Sequence, residues 1–136
     1  MSRDIKDLCD TVRVAAEAAL SECKTKGYDV VVTCTYRSPD EQDKLYAQGR
    51  TIKGLKVTNA KAGQSLHQYR CALDIVPVVN GKPEWTGKSP VWKAVADIFK
   101  SHGFEWGYDW KTFKEMPHFQ MTKGHNLNYF QTGGKI

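Results

Sequence analysis

The chain has 136 residues, the usual size of one folded domain, and we predict a single domain over 1–136. Hydrophobic residues make up 40% and charged residues 26% of the chain, a composition that excludes a disordered protein. No apolar stretch approaches the length of a membrane span, so we also exclude membrane insertion. The formal net charge of +5 favours anionic partners, but the basic residues are scattered and argue against nucleic-acid binding.

The N-terminus carries acidic side chains where a secretion signal would need an apolar stretch. Asp4, Asp7 and Asp10 all fall within this region. We therefore expect the chain to be made in the cytoplasm.

The first half of the chain is predicted to form a helix, a strand, a second helix and a loop. Apolar residues recur every three or four positions over 4–26, which predicts an amphipathic helix. Residues 29–36 are rich in β-branched side chains and predict a buried strand. The segment 38–41 has a capping-box pattern with proline at the first helical position, so a helix should run to about residue 48. Residues 49–63 lack periodicity and predict a loop.

The middle of the second half is predicted to contain a strand, a tight turn and a helix. Residues 71–79 predict the strand, and the pair Asn80-Gly81 that follows is typical of a hairpin turn. A serine followed by a proline at 89–90 predicts the start of a helix, which should end at Gly103.

The rest of the chain is predicted to be short strands and a tail. Residues 104–106 and 117–121 predict the strands, and the glycine-containing segment 122–136 is expected to be a surface tail. Helices and strands mix along the whole chain without regular alternation. We therefore predict an α+β fold around a small sheet.

The four cysteines form no recognisable metal-binding or redox motif. Cys9, Cys23, Cys34 and Cys71 include no C-x-x-C pair. Their even number would allow two disulfides, but a domain of this length has no need of them, and small thiols are commonly buried. We predict that all four are reduced and structural.

Two of the four histidines lie in contexts suited to metal chemistry. A catalytic zinc needs about three histidine or carboxylate ligands and an open position for water. His67, Asp74 and His118 would supply that set and leave Glu115 as a base. From composition and spacing alone, the alternative is that these histidines simply form hydrogen bonds in the core or at the surface.

A shared metal site sets a condition on the backbone. His67 and Asp74 would point to opposite faces of an unbroken strand, so a turn or bulge must intervene near 68–71. Glu115 and His118 are separated by a proline, which rules out a helix interior. They could converge from the end of a loop and the start of a strand, so the spacing allows a shared site without requiring one.

The pattern Ser65-x-His67-x(6)-Asp74, followed by Glu115-x-x-His118, resembles the zinc peptidases of the D-alanyl-D-alanine carboxypeptidase (VanY) group. It is more closely similar to phage endolysins of the L-alanyl-D-glutamate peptidase type. The resemblance covers most of the chain, and several separated motifs are more specific than one short pattern. Further motifs stand in the family's order at 36–38, 72–77 and 103–107.

The resemblance implies a fold, a metal and a set of functional residues. The fold would be a small α+β domain, an antiparallel sheet flanked by helices with a zinc site in a groove, as in hedgehog and DD-peptidase domains. His67, Asp74 and His118 would bind zinc, and Glu115 would be the catalytic acid/base. Arg37 would stabilise the developing oxyanion.

Three further positions are singled out by the resemblance. Gln42 and Ser65 match positions that line the site and bind substrate. Arg70 stands where family members often have glycine. If this position needs a positive φ, either Arg70 adopts a costly conformation or the turn differs. Alternatively, Arg70 projects into the groove and binds a substrate carboxylate.

The function implied is that of a zinc-dependent peptidase that cuts peptidoglycan stem peptides between L-Ala and D-Glu, as a phage or prophage endolysin. Two alternatives stay open: a D-Ala–D-Ala carboxypeptidase of the same family, and a zinc-stabilised binding module without catalysis. Retention of Glu115 and Arg37 argues against the binding module, because a structural zinc site needs neither. We expect a monomer whose partner is bacterial peptidoglycan, acting on the cell wall after release.

Overall fold

Four helices and five strands make up the computed structural model, which describes residues 1–136. The helices are α1 (Asp10–Thr25), α2 (Pro39–Ala47), α3 (Val91–Ser101) and α4 (Leu127–Gln131). The strands are β1 (Asp29–Cys34), β2 (Ala72–Val79), β3 (Lys82–Pro83), β4 (Glu105–Trp106) and β5 (His118–Gln120). Three short 3-10 turns lie at Ile5–Asp7, Leu66–Tyr69 and Gly107–Asp109.

The strands form one antiparallel sheet in the order β1-β2-β5-β4, with β3 paired to the far end of β2. The β2–β3 connection is the predicted hairpin turn, in which Asn80 (φ 53°) and Gly81 (φ 76°) both have positive φ. A type I′ turn needs this conformation at its two central residues. The predicted α+β fold around a small antiparallel sheet is confirmed.

The hydrophobic core lies between the sheet and the helices α1 and α3, which also pack against each other. The buried residues of α1 recur every three or four positions, as a one-sided helix requires. Helix α3 presents a broader apolar face. The core side chains of the two helices are Val12, Ala16, Ala19, Cys23, Trp92, Val95, Ala96, Ile98 and Phe99. None of the four helices has the length and apolar content that a membrane crossing requires.

Helix α1 begins at Asp10, later than the predicted start at residue 4. Residues Ile5–Asp7 form a 3-10 turn instead, because the Asp4 side chain accepts a hydrogen bond from Lys6 N at 2.9 Å. Cys9 is extended, with φ −64° and ψ 156°, and its N–H donates to the carbonyl oxygen of Arg70. A polar side chain that caps a local turn competes with helix formation in this way.

The segment predicted as a surface tail, 122–136, instead packs against the domain. Asn126 caps α4 by accepting a hydrogen bond from Tyr129 N, and Phe130 of that helix is only 3% exposed. The Phe130 ring lies 6.1 Å from the ring of Tyr69, centroid to centroid. Helix α4 thereby covers the 3-10 turn Leu66–Tyr69. The glycines that suggested a tail flank this helix and end it.

The sheet has one face in the core and one face that carries polar side chains. Successive residues of a strand point to opposite faces, and directly opposed residues of an antiparallel pair share a face. Phe119 belongs to the core and pairs with Leu73. His118, next to Phe119, is therefore on the other face together with its partner Asp74.

Candidate metal centre

Three adjacent strands bring candidate ligands into one row across the sheet. Asp74 of β2 lies opposite His118 of β5, and a register shift in β1 places Cys34 opposite Asp74 on the other side. His67 comes from the 3-10 turn that precedes β2. Arg70 closes that turn in the left-handed conformation (φ 60°, ψ 30°), so the chain reverses before β2 begins. The irregularity predicted between His67 and Asp74 is confirmed.

Three donor atoms converge on one point in this row. Nε2 of His67 lies 3.2 Å from Oδ1 of Asp74, and Nδ1 of His118 lies 3.5 Å from the same oxygen. The two imidazole rings meet edge to face with their centroids 5.0 Å apart. Two nitrogens and one carboxylate oxygen are the ligand types that a catalytic zinc takes from a protein.

Hydrogen bonds on the far side of each ring fix which nitrogen is free. Nδ1 of His67 lies 2.7 Å from the carbonyl oxygen of Thr35. A carbonyl oxygen only accepts, so Nδ1 carries the proton and Nε2 presents a lone pair towards Asp74. Nε2 of His118 lies 2.8 Å from Oε1 of Gln120 and donates to it, so Nδ1 is the nitrogen that faces Asp74. Metal-binding histidines are oriented by partners of this kind.

The pKa values of these groups shift in different directions. Burial would raise the pKa of the Asp74 carboxyl, but the two histidines, His67 first, hold it well below its usual range. Burial lowers the pKa of His67 more than Asp74 raises it. Burial also lowers the pKa of His118, but Asp74 and Glu115 outweigh burial and raise it. Asp74 is thus ionised and His67 neutral, the states in which they bind a metal.

The donor set passes a physical test of fit to a metal. Nδ1 of His118 is buried and has no hydrogen-bond partner. A buried polar atom without a hydrogen-bond partner is costly and rare. This nitrogen faces the Asp74 carboxylate and lies beside the His67 ring, which is an arrangement typical of metal ligands. A cation held between these atoms would satisfy all three. His67, Asp74 and His118 therefore fit a metal.

Cys34 forms a second group with His67 and Asp74, whose ligand atoms all lie within 4.8 Å of one another. The Cys34 Sγ atom lies 3.9 Å from Nδ1 of His67, the nitrogen already bonded to a carbonyl oxygen. Burial raises the pKa of the Cys34 thiol, which therefore stays protonated. Cys34 contacts the side of the His67 ring away from Nε2, whereas His118 faces the same Asp74 oxygen as Nε2 and completes the set.

Arg37 and Glu115, the predicted catalytic residues, flank the three donors. Nη2 of Arg37 lies 3.3 Å from Oδ2 of Asp74, the oxygen that the histidines do not face. Glu115 lies in the loop before β5, and its N–H donates to the carbonyl oxygen of Gly107 at 3.1 Å. Burial raises the pKa of the Glu115 carboxyl, and Asp74 raises it further, against the lowering effect of His118 and Arg37. Such a shift brings a carboxylate nearer the working range of a general base.

Gly107 allows the Glu115 loop to approach so closely. A Cβ atom at Gly107 would lie 2.5 Å from the carbonyl oxygen of Glu115 and 3.1 Å from Cβ of His118. Atoms do not come so close, so any side chain at Gly107 would push the Glu115–His118 segment away. The sequence did not indicate this role, because a glycine at ordinary φ gives no sign of what packs against it.

Gln42 and Ser65, both predicted to line the site and bind substrate, occupy different positions. Gln42 is fully buried behind Arg37: its Oε1 accepts from Arg37 Nη1 at 2.9 Å, and its Nε2 donates to the carbonyl oxygen of Ala60 at 2.8 Å. It orients Arg37 and has no free atom for a substrate. Ser65 lines the groove, and its Oγ accepts from the N–H of His67 at 3.3 Å.

Arg70 does not project into the groove. Its Nη1 donates to the carbonyl oxygen of Asp7 at 2.8 Å, and its guanidinium lies 4.1 Å from the centre of the Tyr36 ring. The positive φ expected at this position is present, and Arg70 adopts it. These two contacts offset the cost of the left-handed conformation and keep the side chain away from the donors.

Two cavities meet at the candidate site. One has a volume of about 590 Å³ and extends past Ser65, Trp110 and His118, and the other has about 550 Å³ and extends past Cys34 and Met116. Four residues line both cavities and so stand at their junction: Arg37, Thr58, Phe113 and Glu115. The groove is therefore open on both sides of the donor atoms.

Comparison with known proteins identifies the family. Residues 58–121 match the family model described as D-alanyl-D-alanine carboxypeptidase. The peptidoglycan L-alanyl-D-glutamate endopeptidase CwlK of Bacillus subtilis is 44% identical over 124 residues, covering 85% of this chain and 74% of that protein. The L-alanyl-D-glutamate peptidase of Listeria phage A118 is 29% identical over 135 residues, covering 96% of this chain and 44% of the phage protein.

Solved structures show the same fold. The crystal structure of the Serratia marcescens L-Ala D-Glu endopeptidase ChiX has a TM-score of 0.65 and 22% identity, covering 87% of this chain and 83% of that one. The chain belongs to the D-alanyl-D-alanine carboxypeptidase family of metallopeptidases. The resemblance found in the sequence motifs is thus confirmed.

Proposed function

We propose that the chain is a zinc-dependent peptidase that hydrolyses the L-alanyl–D-glutamate bond of bacterial peptidoglycan. The observation that carries the proposal is the convergence of His67 Nε2 and His118 Nδ1 on Oδ1 of Asp74, beside Glu115 and Arg37. The bond is taken from the relative that is 44% identical, whose name gives that activity.

His67, Asp74 and His118 would hold the zinc ion. When bound, zinc supplies a Lewis acid that polarises the scissile carbonyl and makes water more acidic. One carboxylate and two neutral imidazoles leave the ion with a net positive charge, which preserves its strength as a Lewis acid. The hydrogen bonds that His67 donates to the Thr35 carbonyl and His118 donates to Gln120 Oε1 hold both rings in the orientation that this role requires.

Glu115 and Arg37 would handle the proton and the developing charge. Glu115 takes a proton from the attacking water and then passes it to the departing amine. Arg37, permanently charged and held by Gln42, stabilises the oxyanion of the tetrahedral intermediate, an effect of about 3–4 kcal/mol for a well-placed donor. A zinc-stabilised binding module would need neither residue in the groove.

The shape of the groove favours an endopeptidase over a carboxypeptidase. A D-Ala–D-Ala carboxypeptidase releases one terminal residue and needs little room on that side of the scissile bond. An endopeptidase must hold chain on both sides, and the cavities of about 590 and 550 Å³ meet at Glu115 and Arg37. The carboxypeptidase remains the second candidate because the matching family model carries that description.

The proposal is tested by mass spectrometry of purified peptidoglycan digested by the zinc-loaded chain, with and without a zinc chelator. We expect new amino-terminal D-Glu, abolished by the chelator and restored by added zinc. Free D-Ala instead would make the chain a carboxypeptidase. The absence of any chelator-sensitive product would favour the binding module.

The matched control is Glu115→Ala, which removes the proposed base and leaves the three donors in place. If this variant released amino-terminal D-Glu at the wild-type rate, Glu115 would be excluded as the base.

Since peptidoglycan lies outside the cytoplasmic membrane, we further propose that the chain acts as a lysis enzyme after release. A test is lysis of intact cells by chain added from outside, compared with cells whose membrane has been permeabilised.

A further inference from the structure

Two of the four cysteines lie side by side, away from the candidate metal centre. The Sγ atoms of Cys9 and Cys71 are 3.7 Å apart, although the two residues are far apart in sequence. The N–H of Cys9 donates to the carbonyl oxygen of Arg70 at 3.0 Å. Because Arg70 directly precedes Cys71, this hydrogen bond holds the backbones of the two cysteines close together. The two sulfurs are therefore less than 2 Å from the separation of about 2.05 Å that a disulfide needs.

The pair is accessible from solvent on one side only. Cys9 is partly exposed and Cys71 is buried. Both line a cavity of about 450 Å³ that also contacts Tyr69 and Phe130. A small reagent in this cavity lies against both cysteines, of which Cys9 is the more exposed.

The two thiols differ in reactivity. Cys9 is the N-cap of α1, and the adjacent Cys71 thiol lowers the pKa of Cys9 to about 6. The neighbouring Cys9 and burial raise the pKa of Cys71. Cys9 is both the more exposed and the more acidic of the two thiols, so it is the nucleophile and the buried Cys71 is the resolving thiol.

We propose that Cys9 and Cys71 form a thiol–disulfide exchange site that closes to a disulfide on reaction with a small disulfide such as oxidised glutathione. The Cys9 thiolate attacks one sulfur of the reagent, forms a mixed disulfide and releases the first small thiol. Cys71 then loses its proton and attacks the Cys9 sulfur, which forms the Cys9–Cys71 bond and releases the second small thiol. The two cysteines are oxidised by two electrons, and the reagent is reduced to two thiols.

The other two cysteines lack these features. Cys23 is completely buried in α1, and burial raises its pKa to about 11. Cys34 is buried against His67 and Arg37 rather than against another thiol. They serve as internal controls in the same molecule.

The test uses the full reduced chain in mixtures of reduced and oxidised glutathione at increasing ratios. The chain is then quenched with a maleimide in denaturant, so that buried thiols also react, and digested with trypsin without reduction. Trypsin cleaves after Lys6, Arg13 and Arg70, so Cys9 and Cys71 fall in the separate peptides 7–13 and 71–88. We expect one species in which the two peptides are joined, with a mass two hydrogens below the sum of the separate peptides. We expect maleimide on Cys23 and Cys34.

Three results would overturn the proposal: maleimide on both Cys9 and Cys71 in the most oxidising mixture, a stable glutathione adduct on Cys9 with Cys71 free, or a link to Cys23 or Cys34. In Cys71→Ser the glutathione adduct on Cys9 should accumulate, because no resolving thiol remains. In Cys34→Ser the joined peptides should form as in the wild type.

Discussion

Nδ1 of His118 lies 3.5 Å from Oδ1 of Asp74, its direct partner across the β2–β5 ladder, and is buried without a hydrogen bond. The same oxygen faces Nε2 of His67, while the other oxygen of Asp74 faces Arg37. One carboxylate therefore connects the proposed metal ligands to the proposed oxyanion-stabilising residue. His118 and Glu115 each belong to only one of the two groups, so replacing them tests the metal and the catalytic residues separately.

Removal of His118 should remove the metal. In His118→Ala, two donors remain, and we expect less than a tenth of the wild-type zinc after dialysis, together with loss of hydrolysis. Glu115→Gln is the matched comparison, because it alters a neighbouring side chain that is not one of the three donors. Metal content by inductively coupled plasma mass spectrometry decides the matter: full zinc in His118→Ala would exclude this histidine as a ligand.

Glu115→Gln should retain zinc and lose most of its activity. The amide has nearly the same size as the carboxylate but takes no proton, so kcat should fall by about 10²–10⁴-fold. The measurement is the rate of release of amino-terminal D-Glu from a soluble muropeptide at saturating zinc. A loss below threefold would assign the base to another residue.

The pH dependence of kcat/KM should reflect the raised pKa of Glu115. The base works only when ionised, so activity is full above its pKa and is lost as the pH falls through it. Because burial raises this pKa, the acidic limb should lie above the range of an ordinary glutamate. His118 also takes up protons more readily than usual, so zinc content must be measured at every pH to separate loss of metal from loss of the base. An acidic limb near pH 4 with full zinc would contradict the prediction.

Gly107→Ala should damage the site without touching any catalytic side chain. The new Cβ would meet the carbonyl oxygen of Glu115 at 2.5 Å, so the segment carrying Glu115 and His118 must move. A catalytic group displaced by about 1 Å can lose about 10²-fold in activity, and we expect a loss of that order. Gly81→Ala is the comparison for general backbone strain outside the site: a Cβ there meets nothing within 4 Å, but Gly81 has a positive φ of 76° in the β2–β3 turn. Equal activity of the two variants would show that the close approach is dispensable.

Much of this fold and site follows from local signals in the sequence. The strand β2, the turn at Asn80-Gly81 and the capping box of α2 depend on residues adjacent in sequence, which is why they were predicted correctly. The return of the chain between His67 and Asp74 was predicted because two ligands at that spacing require it. The contact of this segment with Glu115 and His118 was predicted only through the family resemblance, and other contacts between distant segments were not predicted.

Two contacts depend on where α4 and α1 pack: that of Phe130 with Tyr69 and that of Cys9 with Cys71. No local sequence pattern indicates where these helices pack. The role of Gln42 was misjudged for the same reason. Motif order placed it near the site, but only the structure shows that its amide is fully bonded behind Arg37. One partner was within reach of the sequence: the alternation of β5 puts Gln120 on the same face as His118.

Gln120 should matter to metal affinity although it is not one of the three donors. Its Oε1 accepts the proton of His118 Nε2 at 2.8 Å and so keeps Nδ1 free for a metal. In Gln120→Ala the ring can change tautomer or turn, and zinc affinity should fall by about 10–100-fold, as measured by competition with a chromogenic chelator. Gln120→Glu restores an acceptor and should recover most of the affinity. If Gln120→Ala bound zinc as tightly as the wild type, the orientation of His118 would have to come from its packing against Trp110, whose ring lies 5.0 Å away.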